Sequence, residues 1–244
     1  MPDAPAAVDT DPPTTDPPAT APAPPSPPRR TPIWAIVVFV AALCGLAGVV
    51  GWLIADARSE SHPSQDSAEV GFLSDMTRHH QQALTMALDY VRHGDDPLLL
   101  QIAREIVTYQ SQEIGVMNTL LTDWERTAND GPRAMEWMGM SVPRDAMPGM
   151  ASDADMDRLA NARGAELNDL FTRLMIEHHA GGIHMAEFAA ENVDDGTTRF
   201  WAVNMADGQR GEIAELNRWR RQHGLEPVVP EYIPPTSATT TTAG

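Results

Sequence analysis

"MTRHHQQALTMA", residues 76–87, and "MIEHHAGGIHMA", residues 175–186, place a methionine, a His-His pair, a second methionine and an alanine at one spacing twice. The shift of 99 residues that superposes them also carries Phe72 onto Phe171. The register then continues without a gap through Ala103 and Ala202, Gln110 and Gln209, Glu113 and Glu212, Ile114 and Ile213, and Asn118 and Asn217. So long a register predicts two copies of one supersecondary unit related by an approximate twofold axis.

The unit reads as a helical hairpin. Val70, Leu73, Met76, Ala83, Leu84, Ala87, Leu88 and Val91 recur at spacings of three and four, which predicts a helix over 64–93 closed by Gly94. "DDP" restarts the chain, with Asp96 as N-cap and Pro97 at the first helical position, and a second helix runs to about residue 128. A loop rich in Gly, Pro and Met follows over 129–151, and Ser152 with Asp155 caps a short helix. The second copy predicts a helix over about 165–193, a break at "DDGT", and a last helix over about 198–223 ended by Gly224. Turns this short demand antiparallel neighbours. The fold class expected is all-α: an antiparallel four-helix bundle built from two repeated helical hairpins over 66–224, preceded by one transmembrane helix.

Outside the bundle, composition shifts sharply. Residues 1–32 hold twelve of the 21 prolines and predict a disordered, Pro-rich tail. "IWAIVVFVAALCGLAGVVGWLIA", 33–55, is 23 residues without a charge, enough as a helix to span a hydrocarbon layer of about 30 Å. Trp34 and Trp52 suit the interfacial belt, and Arg29 with Arg30 predicts a cytoplasmic N-terminus with the bundle outside the membrane. The run is too long for a cleaved signal core. A linker over 56–65 and an unstructured tail over 225–244 complete the chain.

The net charge of -17, from 34 acidic residues against 17 arginines, disfavours a nucleic-acid partner. The single cysteine, Cys44, lies in the apolar run and excludes intramolecular disulfides and thiolate metal sites. A metal would therefore take His, Met or carboxylate. On a helix, Met76 precedes His79 and His80 by one turn and Met86 follows by two; Met175, His178, His179 and Met185 repeat the stripe. Adjacent histidines diverge by about 100°, so one of each pair points to the bundle centre and the other to a neighbouring helix. There Glu113 or Glu212 can accept its second N–H as outer support. Imidazole plus thioether suits copper, Cu(I) first, with Cu(II) or Zn(II) where His and carboxylate dominate.

The doubled pattern of Phe, Met, His-His, Met and Ala over 72–87 and 171–186, with "MPGM" at 147–150 between, resembles the bacterial family catalogued as domain of unknown function 305. The resemblance covers about 66–224. It implies a ferritin-like four-helix bundle and, for some members, extracytoplasmic copper binding. Gly182 stands where the first copy has Ala83, and the Gly181–Gly182 pair is expected to loosen its helix and make the two halves unequal. His184 has no counterpart in the first copy and is expected on the helix surface. Six methionines in residues 135–156 offer a further flexible metal site, with Met138, Met140, Met147 and Met150 as its ligands, or a lid of Met135, Trp137 and Met138, or both.

A di-iron oxidase would need Glu-x-x-His on two helices, and no glutamate here precedes a histidine by three. Without a hydrolase triad, phosphate loop or nicotinamide fingerprint, the chain is not expected to be an enzyme. The expected function is membrane-anchored, extracytoplasmic copper binding for sequestration or delivery. The alternative is a non-catalytic helical interaction module with a structural His/Met core, whose acidic face docks a membrane or cell-envelope protein.

Overall fold

The computed structural model describes residues 32–57 and 62–230. The Pro-rich tail expected over 1–32 lies outside them apart from Pro32, as do residues 58–61 of the linker expected over 56–65 and residues 231–244 of the tail expected over 225–244. Contacts separate the chain into two units, Met1–Glu60 and Ser61–Gly244.

The first unit contains α1 (Ile33–Ala57), a single helix of 25 residues. Its described apolar side chains are exposed along its length, from Trp34 and Phe39 to Leu46 and Trp52. Counted over the described residues alone, no helix is long and apolar enough to cross a membrane; in α1 the described side chains run without a break only from Ile36 to Trp52.

The second unit is helical. α2 (Ala68–His93) packs against α3 (Pro97–Asp123) and against α5 (Gly164–Asn192), and α5 packs against α6 (Gly196–Gln222). The short α4 (Asp153–Asn161) touches α2 and α5. Turns of three residues make each hairpin antiparallel. Both second helices are capped alike: Asp96 accepts from the amides of Leu98 and Leu99, and Asp195 from that of Thr198. Each such cap is worth about 1 kcal/mol.

Two residues also 99 apart tie the hairpins to each other. Glu69 of α2 accepts from the amides of Asp194 and Asp195 at the α5–α6 turn, at 2.7 and 3.3 Å. Asn168 of α5 accepts from the Tyr90 hydroxyl at 2.5 Å and donates to Asp95 at the α2–α3 turn at 3.5 Å. The first helix of each hairpin thus holds the turn of the other.

Differences from the expected elements have local causes. α2 begins at Ala68 and not at 64 because the Ser67 hydroxyl caps it by accepting from the Val70 amide. α3 stops at Asp123, short of 128, because Glu125 takes a left-handed φ of 55° and the Arg126 amide turns back to Leu121 O. Within the loop, β1 (Arg133–Ala134) pairs antiparallel with β2 (Val142–Pro143), with a 3-10 turn over Glu136–Met138 between them. Two-residue strands are too short to leave a readable period.

The interior falls into two apolar clusters. One holds Phe72, Met76, Met117, Met185 and Met205 with Met135, Met138 and Met147 from the loop. The other holds Met86, Tyr90, Ile106, Phe171, Met175 and Trp219.

Candidate metal centre

All four repeated histidines are buried, none more than 1% exposed. His79 and His178 meet where α2 crosses α5, with ring centroids 3.7 Å apart and planes tilted by 31°. His80 and His179 turn away to the second helix of their own hairpins. His80 Nε2 lies 2.8 Å from Glu113 Oε2, and His179 Nε2 lies 2.5 Å from Glu212 Oε2. One ring of each pair thus faces its counterpart and the other a glutamate, the divergence that helical geometry imposes on adjacent residues.

Every Nε2 faces an oxygen. His79 Nε2 lies 3.3 Å from Pro148 O, and His178 Nε2 lies 3.0 Å from His79 O. In the neutral ring these acceptors hold the hydrogen on Nε2, leaving Nδ1 with its lone pair. The Nδ1 atoms of His79, His80, His178 and His179 are buried with no hydrogen-bond partner. Burial, with the neighbouring His80 and His179 charges adding to it, pushes His79 down to about 3. Burial, then the other three imidazoles, likewise holds His178 well below the usual histidine range. These two rings are neutral at physiological pH, the form that ligates metal.

The methionines of the stripes separate. Met76 and Met185 enter one apolar cluster, and Met86 and Met175 the other, all fully buried, so thioethers flank the imidazole layer on both sides. Among the described residues, no three His, Cys, Asp or Glu side chains converge as a metal-holding group. The loop methionines do not converge on solvent: Met138 and Met147 are buried in the first cluster, Met150 packs against it, and Met140 is 36% exposed. Met135, Met138 and Trp137 form the lid, with Trp137 edge-on to Phe72 at 5.8 Å and to Phe188 at 5.6 Å. A loop docked this way uses these thioethers for packing.

Two expectations change. His184 is not on the surface; it is only 9% exposed, because α5 is covered around nearly its whole circumference at that level. The Gly181–Gly182 pair does not loosen α5, which continues as one helix to Asn192. A Cβ at Gly181 would collide with the Pro148 carbonyl, and one at Gly182 with the Gln209 amide. Both glycines make room for close neighbours.

Sequence reasoning missed four contributors. Pro148 supplies the acceptor for His79. Gln110 and Gln209, buried at the level of the glutamates, have Oε1 atoms without partners, and their survival in the 99-residue register was the signal for them. Asp75 anchors the lid, accepting from the Met135 amide at 2.7 Å, Trp137 Nε1 at 2.9 Å and Arg144 at 3.2 Å. Its counterpart is Leu174, so no repeat signal marked it.

A family model described as "Domain of unknown function (DUF305)" matches residues 69–220. The chain belongs to the DUF305 family. A DUF305 protein of Streptomyces coelicolor, known as a crystal structure, is 34% identical, with a TM-score of 0.62 over 68% of this chain and 99% of that one. A DUF305 fragment from Deinococcus radiodurans is 25% identical, with a TM-score of 0.56 over 64% and 96%. CopM in a Cu(II)-bound form is 28% identical, with a TM-score of 0.52 over 64% and 97%. Comparison with curated proteins found no match.

Proposed function

We propose that this DUF305 protein is a membrane-anchored, extracytoplasmic copper-binding protein, not an enzyme, that sequesters the ion or delivers it. The observation carrying the reading is the set of four buried imidazoles whose Nε2 atoms face oxygen acceptors and whose Nδ1 atoms have no partner. An unpartnered buried polar atom costs about 1–3 kcal/mol, so four in one layer are expensive unless a ligand uses them. Glu113 and Glu212 orient His80 and His179 from behind, the usual office of a carboxylate next to a metal-bound imidazole. Met76, Met86, Met175 and Met185, which lie in the two apolar clusters on either side of the imidazoles, are the thioethers on which a Cu(I) ion would draw. A related protein with a Cu(II)-bound form supports the ion class.

Anchoring through 33–55 is supported by the length of α1 and by its exposed apolar side chains. An N-terminus on the cytoplasmic side follows from Arg29 and Arg30. Copper titration of the full chain in detergent, against a competing chelator, tests the binding. Stoichiometric uptake by the wild type and its loss in the H79A/H80A/H178A/H179A variant, with helical circular dichroism retained, is the expected result. Undiminished uptake by that folded variant rejects the reading, and release of the chain from membranes by alkaline carbonate rejects the anchor.

A further inference from the structure

One side of the imidazole layer is closed. α2 and α5 pack together there, and the Pro148–Gly149 segment straps across them, with Pro148 O facing His79 Nε2 and Gly149 against the backbone of Glu177 and His178. On the other side α3 and α6 part, leaving a groove of about 380 Å³. Glu105, Glu113, Glu212 and Glu215 line it, and no arginine does. Four carboxylates around so small a volume raise the local concentration of cations.

Four further observations distinguish this groove from a solvated acidic face. Gln110 and Gln209 line it although they are only 3% and 4% exposed, and the Oε1 of each has no hydrogen-bond partner. The Gln209 amide also lies against Gly182 of α5, so that side chain reaches from the groove to the helix carrying His178 and His179. Glu113 and Glu212 face the groove while holding His80 and His179. Gly208 and Gly211, in the interior of α6, also line the groove, and a Cβ at either would meet nothing within 4 Å. Each costs about 0.8–1 kcal/mol of helix propensity relative to alanine, and no contact within the chain requires it. What they preserve is the width of the groove.

We infer that the α3/α6 groove is the port through which a copper ion reaches the buried imidazoles. The rim carboxylates draw the cation in, and the Gln110 and Gln209 oxygens replace part of its water as it passes inward. The inference rests on the copper-binding reading, and one experiment separates the two. Stopped-flow loading of the full chain in detergent with Cu(II), added as its glycine complex, is followed by quenching of tryptophan fluorescence. E105Q/E215Q removes rim charge without touching an imidazole, and G208L/G211L fills the groove while improving helix propensity. Each variant is expected to load about tenfold more slowly, to reach the wild-type stoichiometry, and to unfold at no lower temperature than the wild type. Wild-type loading rates in both variants overturn the port and leave the copper reading standing. Failure of the wild-type chain to bind copper at all overturns both.

Discussion

At the residue scale, the tightest fit around a described glycine is at Gly181. Gly181 lies where the Pro148 carbonyl crosses α5, and even a methyl group there overlaps backbone that cannot swing away. G181A is therefore expected to lower unfolding free energy by about 1–3 kcal/mol in urea denaturation, although the change raises helix propensity. An unchanged midpoint would show that the strap does not press on α5. The sequence displayed this residue as one of a Gly-Gly pair, which reads naturally as a weak point; that Pro148, 33 residues earlier, rests on it left no local trace. The histidines titrate in a direction that can be worked out. Burial sets the folded pKa of His79 at about 3, below its ordinary 6.5, so the unfolded chain takes up protons that the native one refuses. That contribution to stability is complete above pH 6.5 and is lost progressively as the pH falls towards about 3. The metal-free protein, kept in chelator, is accordingly expected to lose thermal stability across that window, and the H79Q variant to lose less of it. Equal slopes for the two would remove His79 as the source.

At the scale of elements, the two hairpins were legible because apolar period, caps and turns all repeat, and each repetition tests the others. The lid was legible only as one of two alternatives for the loop, and its anchor not at all, because its order comes from one carboxylate acting at a distance in sequence. Burial pushes Asp75 above its usual range, while the Met135 amide, Trp137 and Arg144 pull it back down. Arg144 also donates to Gly131 O and Arg133 O, so one acid and one guanidinium together gather both strands of the small hairpin. Removing one member of such a buried set leaves the others unpaired, at a cost of about 3 kcal/mol. D75A is expected to open the segment over 129–151 to limited proteolysis and to shift Trp137 emission to the red, with α2 and α5 still helical. A lid that stays protease-resistant in D75A would mean that apolar packing of Met135, Met138 and Met147 holds it without the carboxylate.

At the scale of the whole molecule, the duplication places one stripe on α2 and one on α5, and the antiparallel crossing brings their centres together. The sequence placed one histidine of each pair toward the bundle centre. It did not foretell that the sulfurs would part into two clusters with the imidazoles between them, because that division depends on how far one helix slides along the other. The slide leaves the His79 and His178 rings with centroids 3.7 Å apart, so the two hairpins meet at these rings. Two independent sites would give additive losses: H79A would remove one bound copper ion, H178A the other, and the double variant both. A site shared across the crossing behaves otherwise, since residues in direct contact are energetically coupled. We expect H79A and H178A each to weaken copper binding by at least tenfold, and H79A/H178A to weaken it little further, as read by competition with a chelator of known affinity. A double variant whose loss equals the sum of the single losses, in kcal/mol, would mean that each hairpin binds alone and that the stacked rings are only a seam between two separate halves.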